Sequence, residues 1–183
     1  IESGKENNER MKNKRTTKNL AFAGMFMALT MVFTVIHIPL AIGNINFGDA
    51  VILLSAACLP LPFSVASSAI GAALADVFTG YASYAPFTLV VKALVALIAK
   101  LLLTALKNAK PAVKYPISAI PAELVMAGGY FLANSFLLEW EFKTAATSVP
   151  FDLLQGAVAV VVFTLLAVVA KIPEKVGGYL TKE

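Results

Sequence analysis

The residues able to do chemistry lie in one apolar stretch, IGAALADVFTGYASYAPFTLVVK, residues 70–92. It holds a carboxylate (Asp76), two phenols (Tyr81 and Tyr84), a hydroxyl (Thr88) and an amine (Lys92). Tyr84, Thr88 and Lys92 recur every fourth residue, so on a helix they form a single polar stripe. Glu123, Ala127, Tyr130 and Asn134 follow the spacing i, i+4, i+7 and i+11, a second stripe. Asp152 and Gln155 lie one turn apart on a third segment, and Thr30, Thr34 and His37 line up on the first. Phenols offer a flat ring with a polar tip. An amine, amides and hydroxyls around them would bind a small polar molecule by hydrogen bonds that are costly to leave unmade once buried.

Each group also has a plainer reading. Asp49 and Asp76 stand near helix ends, where carboxylates cap backbone N–H groups. Threonines such as Thr30, Thr34 and Thr88 bond back to their own helix. His37, Tyr81, Tyr84 and Trp140 fit the aromatic belt at a membrane surface.

The elements that must carry these stripes are membrane helices. The chain is 58% hydrophobic and only 14% charged, with mean hydropathy +0.78, against about 25% charged for a soluble domain. Crossing a bilayer takes roughly 20 apolar residues as a helix. The apolar runs here are unbroken rather than alternating, which favours helices over barrel strands. The pattern predicts an all-α integral membrane protein with six spans: 19–38, two between 47 and 78 broken at Leu59-Pro60-Leu61-Pro62, then 85–106, 115–138 and 150–171. The run after Phe47 is short for a crossing, which leaves a five-span reading with a re-entrant piece as the alternative. Residues 1–18 form a polar segment, with Met11 a candidate start, and 172–183 a tail.

Basic residues set the orientation. With six spans, Lys5, Arg10, Lys12, Lys14, Arg15, Lys18, Lys107, Lys110, Lys114, Lys171, Lys175 and Lys182 share the side of the two termini, and Lys143 is alone opposite. That asymmetry places both termini in the cytoplasm. It also explains the basic balance, pI about 9.2, without nucleic acid. The outer loops are then 39–46, with Asn44 and Asn46, residues 79–84, and 139–149, with Trp140. The stripes are richest toward these loops, which predicts a polar pocket open to the outside.

At 1.5 Å per residue, Lys92 lies roughly 9 Å below the outer edge, and Lys100 and Glu123 each roughly 21 Å. Equal depth pairs Glu123 with Lys100, unless Lys100 snorkels to the inner surface. Lys92 is left with Asp152, Asp76 or a ligand. Gly24 and Ala28 make a small-xxx-small step on the first span, a surface for a partner or for packing, and Ser64, Ser68, Gly71 and Ala75 a packing face on the third.

Several chemistries find no support. Cys58 and His37 are the sole cysteine and histidine, so an internal disulfide is excluded and a metal centre is not expected. Phosphate-binding loops and hydrolase elbows have no match. No cofactor is expected. The reading is not that of an enzyme, although an intramembrane enzyme using Asp49, Asp76 or Glu123 stands as a competitor. A stand-alone secondary transporter is the other, weakened by the lack of a repeat between the halves.

Phe47-Gly48-Asp49-Ala50, followed by Ala73-Leu74-Ala75-Asp76, Gly80-Tyr81, Tyr84-Ala85-Pro86 and Lys92, resembles the substrate-binding S components of energy-coupling factor (ECF) vitamin transporters. It is most similar to the branch for hydroxymethylpyrimidine or pyridoxine-like substrates. The resemblance covers residues 12–175. It implies a six-helix bundle in a bacterial plasma membrane that captures a vitamin from outside. It also implies a complex with a transmembrane coupling protein and two cytoplasmic ATPases. The coupling protein would be contacted by an Ala-x-x-x-Ala step on the first helix, here Gly24-x-x-x-Ala28. The substrate-binding candidates are Asn44, Tyr84, Thr88, Lys92, Tyr130, Asn134, Trp140, Asp152 and Gln155.

Overall fold

The structure is a computed structural model describing residues 2–39, 44–137 and 142–181, with side chains over 10–38, 45–135 and 142–181. The described residues form helices α1 (Glu2–Val35), α2 (Gly48–Cys58), α3 (Leu61–Phe78), α4 (Ala85–Ala105), α5 (Pro111–Leu137), α6 (Phe142–Val168) and α7 (Ile172–Thr181). The all-α expectation gains one exception. Strands β1 (His37–Pro39) and β2 (Asn44–Asn46) pair antiparallel, with His37 opposite Asn46. Within α1, α3, α4, α5 and α6 lie five segments long and apolar enough to cross a membrane.

The second expected span, α2, has 11 residues, about 16 Å of helix against a hydrocarbon core of roughly 30 Å. It is the hub of the bundle, touching α1, α3, α4, α6 and α7. All its residues but Ala57 are buried, as befits a helix apolar on every side. Its end is dictated locally. Leu59, ahead of Pro60, is extended at φ −103 and ψ 157, because the proline ring disfavours helical backbone in the preceding residue. Pro60 then leads into α3.

Other boundaries moved. The helix of the first span starts in the polar segment, which is the beginning of α1. The last span starts at Phe142 rather than Pro150, so Lys143 and much of the expected third outer loop are helical. Buried Ala145 and Ser148 give that first part an inward face. The expected tail contains α7, which follows a left-handed Lys171 (φ 53) and returns under the bundle. Leu180 enters the core beneath α2, and Tyr179 meets Phe22 at 5.7 Å between ring centroids.

Two local features keep the hairpin end of the bundle in place. Gly80 closes α3 at φ 86, where other residues are strained. Tyr81 N–H reaches Asp76 O at 2.8 Å and Gly80 N–H reaches Val77 O at 3.4 Å, the paired bonds of a Schellman stop. On α3, a Cβ at Gly71 would sit 2.5 Å from Met27 O. The small-residue face of α3 is therefore packed on α1, as expected for Ser64, Ser68, Gly71 and Ala75, all buried.

Candidate functional site

The polar stripes converge near the hairpin end of the bundle, and a lysine–aspartate pair lies at their base. Asp49 sits in the first turn of α2 and is wholly buried. Lys92 Nζ on α4 donates to Asp49 Oδ1 at 2.6 Å, and both side chains are shielded from solvent. Gln155 Nε2 on α6 donates to Asp49 Oδ2 at 2.7 Å. Gln155 Oε1 in turn accepts from the backbone N–H and the side-chain Nδ2 of Asn46, each at 3.2 Å. Asn46 Oδ1 accepts from Gly48 N–H at 2.9 Å. One chain of bonds thus runs from α4 through α2 and α6 to β2. A carboxylate with partners on both oxygens and an ammonium on one of them is the form in which buried charge is tolerated.

A second layer lies around this pair. Lys92 Nζ stands 5.0 Å from the centroid of the Tyr130 ring, within cation–π reach. The Tyr130 hydroxyl bonds the Thr88 hydroxyl at 3.1 Å. The Tyr84 hydroxyl donates to Asn134 Oδ1 at 3.1 Å, and Asn134 Nδ2 donates to Ser148 Oγ at 3.3 Å. Ser148 Oγ lies 3.3 Å from Asp152 Oδ2, to which it donates. Asp76 Oδ2 is buried without a hydrogen-bond partner among the described residues and lies within electrostatic reach of Lys92.

Of the expected binding residues, Tyr84, Thr88, Lys92, Tyr130, Asn134, Asp152 and Gln155 lie in these linked layers. Asn44 pairs through its backbone with Pro39, and its side chain lies outside the described residues, as does Trp140. Gly24 and Ala28 are both exposed on α1.

Two pairings are corrected. Lys92 bonds Asp49, not Asp152 or Asp76. Lys100 does not pair with Glu123. Its Nζ donates to Leu59 O at 2.6 Å, capping the carbonyl end of α2 with a cation. Depth along two helices compared only those helices, and the short α2 ends between them. The binding candidates read from the sequence also left out Asp49, Asn46 and Ser148, which the structure bonds into the same layers. The available signal was that one buried amine in an apolar chain calls for one buried carboxylate.

The bundle thus holds a sealed amine–carboxylate pair beneath phenols and amides, and no metal-ligating cluster is found among the described residues. Residues 14–171 match the model of the family described as ECF-type riboflavin transporter, S component, and the chain belongs to that family. It is therefore a substrate-binding component of an ECF transporter, a class of multi-pass membrane subunits and not an enzyme family. No curated protein matches the chain.

Proposed function

We propose that this chain captures a small heteroaromatic vitamin or precursor, of the hydroxymethylpyrimidine or pyridoxine type, at the hairpin end of the bundle. That end faces the outside, the bundle counts as six crossings with α2 as the short one, and both termini lie in the cytoplasm of a bacterial cell. The layer of Tyr84, Thr88, Tyr130, Asn134, Asp152 and Gln155 over the buried Lys92–Asp49 pair carries this reading. A flat ring stacks on the phenols, and its hydroxyls and ring nitrogens exchange bonds with Lys92, Asn134 and Asp76. Asn44 and Trp140 complete the contacts to the ligand. Gly24 and Ala28 face the transmembrane coupling protein, and two ATPases drive release.

Riboflavin is the second reading, favoured by the description of the matched family. Direct titration of the purified chain with hydroxymethylpyrimidine, pyridoxine and riboflavin separates them. Saturable binding of a pyrimidine or pyridine, lost in Lys92→Ala, is the expected result. Binding of riboflavin alone selects the second reading, and binding of none of a broad vitamin panel overturns both. Uptake that persists without any ATPase would make the chain a stand-alone transporter instead.

A further inference from the structure

A cavity lies beside the polar core, on the face between α5 and α6. It holds about 350 Å3, within the range of small-ligand sites. Ile120 and Leu124 of α5 and Leu153 and Val161 of α6 form its walls, and Glu123 and Gly156 its floor. The four wall residues are exposed large hydrophobics, so the cavity opens on the apolar flank of the bundle. Glu123 lies about 18 Å along α5 from Pro111 and about 21 Å from Leu137. The opening is therefore at mid-height of a membrane-crossing helix.

Its floor is chemically incomplete. Glu123 is 4% exposed; both of its carboxyl oxygens are closed off from solvent and neither has a hydrogen-bond partner among the described residues, so a ligand in the cavity reaches them only once the carboxyl turns about its side-chain bonds. Lys92, within electrostatic reach of Glu123, is already bonded to Asp49. Two carboxyls therefore share one amine. Gly156 makes room for the orphan, because a Cβ there would lie 2.9 Å from Glu123 Cβ and 3.4 Å from Oε2. A buried polar group at this depth is costly unless something bonds it, and acyl chains carry no donor.

We propose that the α5–α6 cavity is a lateral binding site for a single-chain amphiphile whose compact hydroxyl or amine head donates to Glu123. The alkyl chain lies against Ile120, Leu124, Leu153 and Val161, and the ligand enters sideways from the bilayer. Depth argues against a glycerophospholipid, whose headgroup stays at the interface, roughly 15 Å from the midplane. This site does not depend on which vitamin the polar core binds.

The test uses the full chain in lipid nanodiscs with three photoreactive diazirine probes of equal length: an alkanol, an alkylamine and a headless hydrocarbon. Labelled peptides are mapped by mass spectrometry. The alkanol or the alkylamine should label α5–α6 peptides about fivefold more than the hydrocarbon, the factor expected from one hydrogen bond of about 1 kcal/mol. Excess unlabelled alkanol or alkylamine should compete. Glu123→Leu should bring labelling down to the hydrocarbon level. Val161→Trp, which blocks the mouth without touching the polar core, should lower labelling while vitamin binding persists. A preference for the amine identifies an ion pair, and one for the alkanol a neutral donor. Equal labelling by all three probes, or wild-type labelling that excess ligand does not compete, overturns the proposal even if Glu123→Leu does not fold.

Discussion

At the scale of single residues, the Lys92–Asp49 contact dominates. Removing one member of a buried pair leaves the other uncompensated, which costs about 3–5 kcal/mol. Lys92→Ala and Asp49→Ala should each lower thermal stability in detergent by an amount of that order. The double variant should lose less than the sum of the two, and a double-mutant cycle by calorimetry or scanning fluorimetry checks the coupling. Asp49→Asn should be milder than Asp49→Ala, because an amide oxygen still accepts from Gln155 or Lys92. Tyr130→Phe is a finer probe. It deletes the hydroxyl bonded to Thr88, worth about 1 kcal/mol, and keeps the ring that faces Lys92. If the hydroxyl also meets ligand, vitamin affinity should fall about fivefold, read by titration, with the fold intact. An unchanged affinity would place Tyr130 in the scaffold alone.

At the scale of elements, α2 shows how a helix much shorter than its neighbours can organise a bundle. Its first turn presents Asp49 to the site, and the Leu59 carbonyl at its C-cap is met inside the protein. Lys100 supplies that cap from α4. Lys100→Met keeps the stem and deletes the charge, leaving Leu59 O without its donor. We expect a loss of about 1.5–3 kcal/mol, the range for hydrogen bonds to charged groups, seen as a lower melting temperature. Because Lys100 and Lys92 sit eight positions apart on α4, vitamin affinity should change far less than stability. Equal loss of both would mean that the α2 end and the site are coupled.

At the scale of the whole molecule, the exposed Gly24 and Ala28 on α1 bear on assembly. Enlarging both to leucine changes the outside of the bundle only, since a Cβ at Gly24 would meet nothing within 4 Å. The double variant should bind vitamin as the wild type does, yet fail to co-purify with the coupling protein and ATPases and lose ATP-dependent uptake. Retained uptake would move the partner surface to another face.

The sequence by itself determined the membrane class, the helices of the long spans and three of the four stripes, because bilayer length and helical period act within one segment at a time; the fourth failed because α1 ends at Val35 and His37 lies in β1. The break at Leu59-Pro60 was legible for the same local reason. Tyr84, Thr88, Lys92, Tyr130, Asn134, Asp152 and Gln155 were legible as polar groups inside apolar helices, and the structure brings them together in the linked layers around Asp49. Only the tertiary structure decided who bonds whom. Asp49 read equally well as a helix cap until α2 was seen to sit at the centre, where its carboxyl faces α4 and α6. Lys100 and Glu123 matched in depth, but depth omits rotation about the helix axis and the presence of a third element between them. The early start of α6 and the return of α7 under α2 also rest on contacts across the fold. Packing around a short central helix fixes those contacts, and no window of sequence contains it.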